Sequence, residues 1–191
     1  MATKKLSVAS LASRVKLSDG ILAFRSKAAE MFALSKTEVG ELLPGDILLC
    51  SFKEIVDCSS SFVDEFILNW YRVIRHIDNV LMILNDMNED VKFTTESAVI
   101  QRNRISKDNI VLLVKESSNY VILGDKLEKN VLQIFSYVAE GKHITARTVA
   151  DELGLELNSA GNRLKKLYDA HLTLRLEQSA ESGGKFEYFL P

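Results

Sequence analysis

Four polar side chains near the carboxyl end of the chain have the chemistry to bind nucleic acid. They lie along one side of a predicted helix and are Ser159, Asn162, Arg163 and Lys166. Asparagine and arginine pair with base edges, whereas serine and lysine bond phosphate oxygens. The other side of the same helix is predicted to face a core through Ala160, Leu164, Leu167 and His171. The pattern therefore predicts an amphipathic helix with one surface suited to a DNA groove.

Two further predicted helices would hold this one in position. The first covers Asn130–Gly141, and the short strand Lys142-His143-Ile144 follows it. The second covers Ala146–Leu153, with Thr145 as its N-cap and Gly154 in the left-handed position that ends it. Either Asn158 or Ser159 is predicted to cap the third helix, which runs to about Ala170. Gly161 inside that helix permits close backbone approach, either to DNA or to the preceding helix.

A predicted hairpin completes the last third of the chain. Its strands are Leu172–Glu177 and Lys185–Leu190, joined by Gln178–Gly184. Arg175 and Lys185 flank the turn, where we expect both to contact phosphate. The whole segment resembles the winged helix-turn-helix domains of bacterial transcription regulators, an α+β fold. That resemblance implies binding of double-stranded DNA, although many winged helices bind proteins, and this alternative stays open.

The charge of the chain excludes a strongly basic nucleic-acid binder and a polybasic membrane anchor. The formal net charge is −2, and residues 125–191 hold nine Lys and Arg against ten Asp and Glu. A specific regulator tolerates such a balance when its cations share one face. Besides the residues named above, Lys142, Arg147 and Lys165 lie in or near the presumed DNA surface.

The first two thirds of the chain alternate strand and helix patterns, which predicts an α/β domain with a mostly parallel or mixed sheet. Buried strands are predicted at Asp46–Phe52, Asn79–Asn85 and Asn109–Lys115, with outer strands at Leu6–Leu11 and Tyr120–Leu123. Helices are predicted at Arg25–Ala33, Ser61–Arg75 and Asp90–Asn103. The break near Leu123–Lys126 separates a domain of residues 1–124 from one of residues 125–191.

A run of serines precedes the central helix of this domain: Ser59, Ser60 and Ser61, with Asp64 close behind. Free N–H groups at a helix start favour an anion, so a phosphoserine or a partner contact is one interpretation. The other is plain capping, with Ser61 and Asp64 forming a capping box.

The segment Ser51–Ile55 followed by Ser59–Glu65 resembles the signature of STAS-like domains, relatives of the anti-sigma-factor antagonists. The similarity covers roughly residues 20–120 and implies a non-enzymatic module that binds a regulatory kinase or ATPase. In the antagonists, a serine in the motif Asp-Ser-Ser-Gly is phosphorylated. Aligning Asp57 puts Cys58 at that position, whereas aligning the serine run puts Ser60 there. The fold class expected is thus a STAS-like α/β sheet with covering helices, followed by a winged helix.

Local spacing assembles no catalytic set of nucleophile, histidine and acid, and no glycine-rich phosphate loop. Cys50 and Cys58 are expected to be buried thiols, and Asn85–Asp90 a solvated loop in preference to a metal or enzyme site. We therefore expect no enzyme activity, cofactor or metal. With no apolar run long enough for a bilayer and no secretory signal, a cytoplasmic location is expected. The sequence leaves two functions open, a DNA-binding regulator and a partner-switching adaptor, and leaves the oligomeric state undetermined.

Overall fold

A computed structural model of the chain describes residues 1–17, 19–124, 127–141, 143–178 and 186–191. The fold is mixed α/β, with a central sheet rich in parallel strands. The chain divides into two compact units, Met1–Asp125 and Lys126–Pro191. Among the helices within the described ranges, none is both long and apolar enough to cross a bilayer.

The first unit is built on a five-stranded sheet in the order β1-β3-β5-β6-β7. These strands are β1 (Thr3–Ser7), β3 (Ile47–Ser51), β5 (Leu81–Asn85), β6 (Val111–Glu116) and β7 (Asn119–Gly124). The first four are parallel, and β7 returns antiparallel to β6. A separate short parallel ladder joins β2 (Ile21–Leu22) to β4 (Asp57–Cys58). The three apolar runs predicted as buried strands are confirmed as β3, β5 and β6.

Alternating side chains of the central strands form the floor of the main core. They are Leu48, Cys50, Met82, Leu84, Leu112 and Val114. Large rings fill the space against them, namely Phe52, Phe62, Phe66 and Trp70, each at most 2% exposed. Because burial of each such ring removes a large apolar area from water, these contacts fix the segment after Ser59 against the sheet.

The helices of the first unit follow the predicted order but differ in detail. They are α1 (Val8–Arg14), α2 (Arg25–Val39), α3 (Ser60–Phe62), α4 (Leu68–Ile74) and α5 (Glu89–Ser106). A π-helical turn, Val63–Ile67, joins α3 to α4, so the single helix predicted over Ser61–Arg75 is one continuous segment of three parts. Such turns are rare and are often found at functional sites.

Two predictions for the first unit are wrong in extent. The strand predicted at Leu6–Leu11 ends at Ser7, whose Oγ accepts from the Ser10 backbone N–H at 3.2 Å and starts α1. Helix α2 continues past Ala33 to Val39. Its buried side includes the polar residue Ser35, which interrupts the apolar pattern. The hydrophobic periodicity of the sequence therefore did not predict the last turns of the helix.

The second unit contains three helices in its described residues: α6 (Lys129–Ala139), α7 (Ala146–Leu153) and α8 (Leu157–Asp169). The prediction for α7 is confirmed, since Thr145 Oγ1 accepts from the Thr148 N–H at 3.1 Å and Gly154 has a φ of 61°. The predicted caps of α8 are wrong. Glu156 is its N-cap residue, so Asn158 and Ser159 lie inside the first turn.

A three-stranded antiparallel sheet in the order β8-β10-β9 accompanies these helices. Its strands are β8 (Ile144–Thr145), β9 (Leu174–Glu177) and β10 (Phe186–Phe189). β10 pairs with both neighbours, so the two strands of the predicted hairpin are observed in shortened form. Of the predicted connection Gln178–Gly184, only Gln178 is among the described residues.

Candidate functional site

Helix α8 separates a buried side from a polar side as the sequence predicts. Ala160, Leu164 and Leu167 are fully buried. Asn162 and Lys166 are exposed, whereas Ser159 and Arg163 are half-buried at the edges of the polar side. The four predicted nucleic-acid ligands therefore lie together on the outer surface of one helix, and we call this surface the α8 face.

His171 does not belong to the core of α8, so that prediction is wrong. It is only half-buried and has a φ of 54°, in the left-handed region. Its N–H donates to the Tyr168 carbonyl, and the Leu172 N–H donates to the Leu167 carbonyl at 3.0 Å. These bonds end the helix, and the chain turns at His171 before the next strand.

Lys166 has an acidic partner that the sequence did not reveal. Its Nζ lies 2.7 Å from Oε1 of Glu128, the N-cap residue of α6. The hydrogen bond and charge of Lys166 hold the pKa of Glu128 below its ordinary value, and the charge of Arg163 adds to the effect. Thirty-eight residues separate the pair along the chain, so only the packing of α6 with α8 brings the two charges together.

Arg175 is held between two aromatic rings. Its guanidinium carbon lies 3.9 Å from the centroid of Tyr168 and 4.3 Å from that of Phe186. This cation–π arrangement braces α8 against β9 and β10. Arg175 thus has a structural role, whereas the sequence predicted only a contact with phosphate. Lys185, the other predicted contact of the hairpin, and Lys142 lie outside the described residues.

The serine run begins the helical segment of the first unit, but its capping differs from the prediction. The N-cap is Ser59, whose Oγ accepts from the Phe62 N–H at 3.2 Å. Ser61 lies in the helix and shares a hydrogen bond of 2.9 Å with Ser59 Oγ. The predicted capping box of Ser61 and Asp64 is therefore wrong, because the helix starts two residues earlier. Ser60 is exposed.

Asp64 joins side chains from three helices. Its carboxylate lies 3.3 Å from Arg25 Nη1 of α2, 3.4 Å from Arg72 Nη2 of α4 and 3.9 Å from Arg102 Nη1 of α5. Arg25 also pairs with Glu65, and the carboxylates of Glu65 and Asp64 raise the pKa of its guanidinium. Both acids lie in the π-helical turn, which therefore places their carboxylates beside the arginine side chains.

A groove of about 260 Å³ opens beside these residues. Hydroxyl, carboxylate, guanidinium and apolar groups line it, among them Arg25, Ser60, Ser61, Asp64, Arg102 and Ile105. Ile105 is 73% exposed, a high value for a large apolar side chain. The sequence analysis did not predict three of these residues, Arg25, Arg102 and Ile105. They lie on α2 and α5, and no local sequence pattern shows that these helices pack beside the serine run.

The two cysteines of the first unit are buried, and hydrogen bonds hold Asp86 in the Asn85–Asp90 loop. Burial raises the pKa of the Cys50 and Cys58 thiols to about 12, which keeps both protonated and unreactive at neutral pH. In the Asn85–Asp90 loop, Asp86 accepts from Ser51 Oγ at 2.7 Å and from Asn85 Nδ2 at 3.0 Å. Within the residues that the structure describes, no group of three or more His, Cys, Asp and Glu is placed to hold a metal ion.

The chain matches no protein-family model, no curated protein and no solved structure. The α8 face and the groove beside the serine run are the two features of the structure that bear on function.

Proposed function

We propose that this chain is a DNA-binding transcriptional regulator. In this proposal, residues 125–191 form a winged helix-turn-helix domain in which α8 is the recognition helix. Residues 1–124 form a STAS-like domain that binds a partner protein. Neither domain is an enzyme, and neither needs a cofactor or metal ion.

The observation that carries the proposal is the α8 face. Helices α6, α7 and α8, together with the sheet β8-β10-β9, follow the order of elements that a winged helix requires. The outer side of α8 offers Asn162 and Arg163 for base edges, and Ser159 and Lys166 for phosphate. The opposite side is buried, so docking of α8 into a major groove would leave the core of the unit intact.

Mobility-shift assays with fragmented genomic DNA from the source organism test this function. We expect wild type to retard a subset of fragments and Arg163→Ala/Lys166→Ala to lose that retardation. Lys36→Ala/Arg104→Ala is the matched control, since it removes the same two charges from exposed residues of α2 and α5 in the first unit. Equal retardation by wild type and Arg163→Ala/Lys166→Ala would exclude readout by α8.

A second function is supported by the groove beside the serine run. In this alternative the chain is a partner-switching adaptor, and the winged helix binds protein in place of DNA. Ser59, Ser60, Ser61 and Asp64 would contact a regulatory kinase or ATPase. The exposed hydroxyl of Ser60, the guanidinium groups of Arg25 and Arg102, and the apolar side chain of Ile105 give this edge both polar and hydrophobic contact groups.

Affinity purification from the source organism distinguishes the adaptor from the regulator. Ser60→Glu introduces a negative charge at the groove, and Ser13→Glu introduces the same charge on the exposed surface of α1. For an adaptor we expect a protein partner that is retained by Ser13→Glu, lost with Ser60→Glu, and purified without nucleic acid. Nucleic acid retained by all three proteins would favour the regulator.

A further inference from the structure

Glu128 begins α6, but its carboxylate forms an ion pair with α8. A favoured N-cap side chain such as aspartate accepts a hydrogen bond from a backbone N–H of the first turn, where the helix dipole also favours a negative charge. Glu128 makes no such bond. Its carboxylate instead reaches across to Lys166, with 2.7 Å between the two charged atoms.

The surroundings of Glu128 keep this carboxylate ionised. Lys166 lowers its pKa most, through a hydrogen bond and through charge, and the Asn130 side chain and the Arg163 charge act in the same direction. The side chains of Lys166 and Glu128 are 54% and 60% exposed, so water and ions reach the pair. An exposed ion pair of this kind opens easily, and another anion can replace the carboxylate.

We propose that Glu128 is an intramolecular competitor of DNA, because it pairs with Lys166, the cation of the recognition helix that phosphate would otherwise bind. This inference rests on the proposed function, because it concerns the cations of the α8 face. When a phosphate binds Lys166, the ion pair with Glu128 must open. The free energy gained from the phosphate contact is therefore reduced by the loss of that ion pair. The released carboxylate then lies beside a polyanion and repels it. Both effects limit affinity for DNA in general and leave base readout by Asn162 untouched.

The test compares four proteins: wild type, Glu128→Gln, Lys166→Ala and the double variant. The probe is a fluorescein-labelled duplex that wild type retards, and affinity is measured by fluorescence anisotropy at fixed salt. We expect Glu128→Gln to bind roughly three-fold more tightly than wild type, the scale of one exposed ion pair. In the Lys166→Ala background the same change should give a clearly smaller gain, because the competed cation is gone.

Glu152→Gln on α7 is the matched control, since it removes the same charge from an exposed residue of the unit. It should give a smaller gain than Glu128→Gln. An equal gain from Glu128→Gln with and without Lys166 would overturn competition at this lysine while leaving DNA binding established. Absence of DNA binding by every variant, each shown by circular dichroism to be folded, would overturn the proposed function and this inference with it.

Discussion

Gly161 lies in the interior of α8, where glycine destabilises a helix relative to alanine. Packing does not explain it. A methyl group added at Gly161 would lie 3.8 Å from the Ala146 Cβ, an ordinary contact. Close approach to the preceding helix, one of the two explanations from the sequence, is therefore not required. The added methyl group would point toward α7 and lie outside the α8 face, so close approach to DNA is not supported either, and nothing in the structure explains the glycine.

Gly161→Ala is expected to stabilise the second unit by about 1 kcal/mol, the difference in helix propensity between the two residues. The same change should leave DNA binding unchanged, because the methyl group lies outside the α8 face and points toward Ala146 of α7. Urea unfolding followed by circular dichroism measures the first effect, and anisotropy titration measures the second. A variant that is less stable than wild type would show that the methyl group does not fit against Ala146, and weaker DNA binding would place Gly161 in the DNA interface.

Ser35 is a buried polar residue whose hydroxyl bonds the indole of Trp70. It is fully buried, its Oγ accepts from the Trp70 Nε1–H at 2.9 Å, and it donates to the Phe32 carbonyl at 2.8 Å. Ser35→Ala leaves the indole N–H unsatisfied and should lower the free energy of unfolding by about 1–3 kcal/mol. The fluorescence of the single tryptophan reports the transition, and Ser13→Ala on the exposed side of α1 is the control. A loss equal to that of the control would show that the indole N–H finds another partner.

At the scale of elements, the sequence predicted whether a segment is helix or strand better than it predicted where each element begins and ends. Continuous apolar runs identified β3, β5 and β6, and the Thr145 and Gly154 caps fixed α7. Start positions failed where several residues were equally suited to capping. Three consecutive serines can each cap a helix, and packing of Phe62 into the core selects Ser59. The π turn has no local sequence signature.

Asp46, which directly precedes β3, should make the stability of the protein depend on pH. Asp46 is only 5% exposed, and its carboxylate accepts from the backbone N–H groups of Ala2 at 2.8 Å and Leu43 at 3.1 Å. Burial alone would raise its pKa. The bonds from Leu43 and Ala2 and the charge of Lys4 outweigh burial, so the pKa of Asp46 is lowered overall.

Because the folded pKa of Asp46 lies below the unfolded one, its stabilising contribution is complete above the unfolded value of about 3.9 and is lost as the pH falls through the folded value. Unfolding free energies of wild type and Asp46→Asn should therefore differ most near neutrality and converge in acid. Chemical denaturation at pH values between about 7 and about 2 gives the comparison. A difference that stays constant over this range would mean that Asp46 does not titrate as described.

At the scale of the whole molecule, both candidate sites combine residues that are distant in sequence. The four residues of the α8 face lie on one helix, so their spacing was sufficient to predict that they share one side of it. Glu128 and the arginines around Asp64 reach their partners only through the packing of separate helices, which helical periodicity does not encode. The net charge of −2 likewise gives no information on whether the cations lie together on one surface.

The salt dependence of DNA binding tests the proposed function most directly. Each phosphate contact contributes about 0.9 to the slope of log K against log salt concentration on duplex DNA. Lys166 is the phosphate contact of the pair and Arg163 reads a base edge, so Arg163→Ala/Lys166→Ala should weaken binding and flatten the slope by up to about 0.9. Lys36→Ala/Arg104→Ala on the first unit should leave both the affinity and the slope almost unchanged. An affinity and a slope equal to those of wild type in Arg163→Ala/Lys166→Ala would contradict DNA binding through α8.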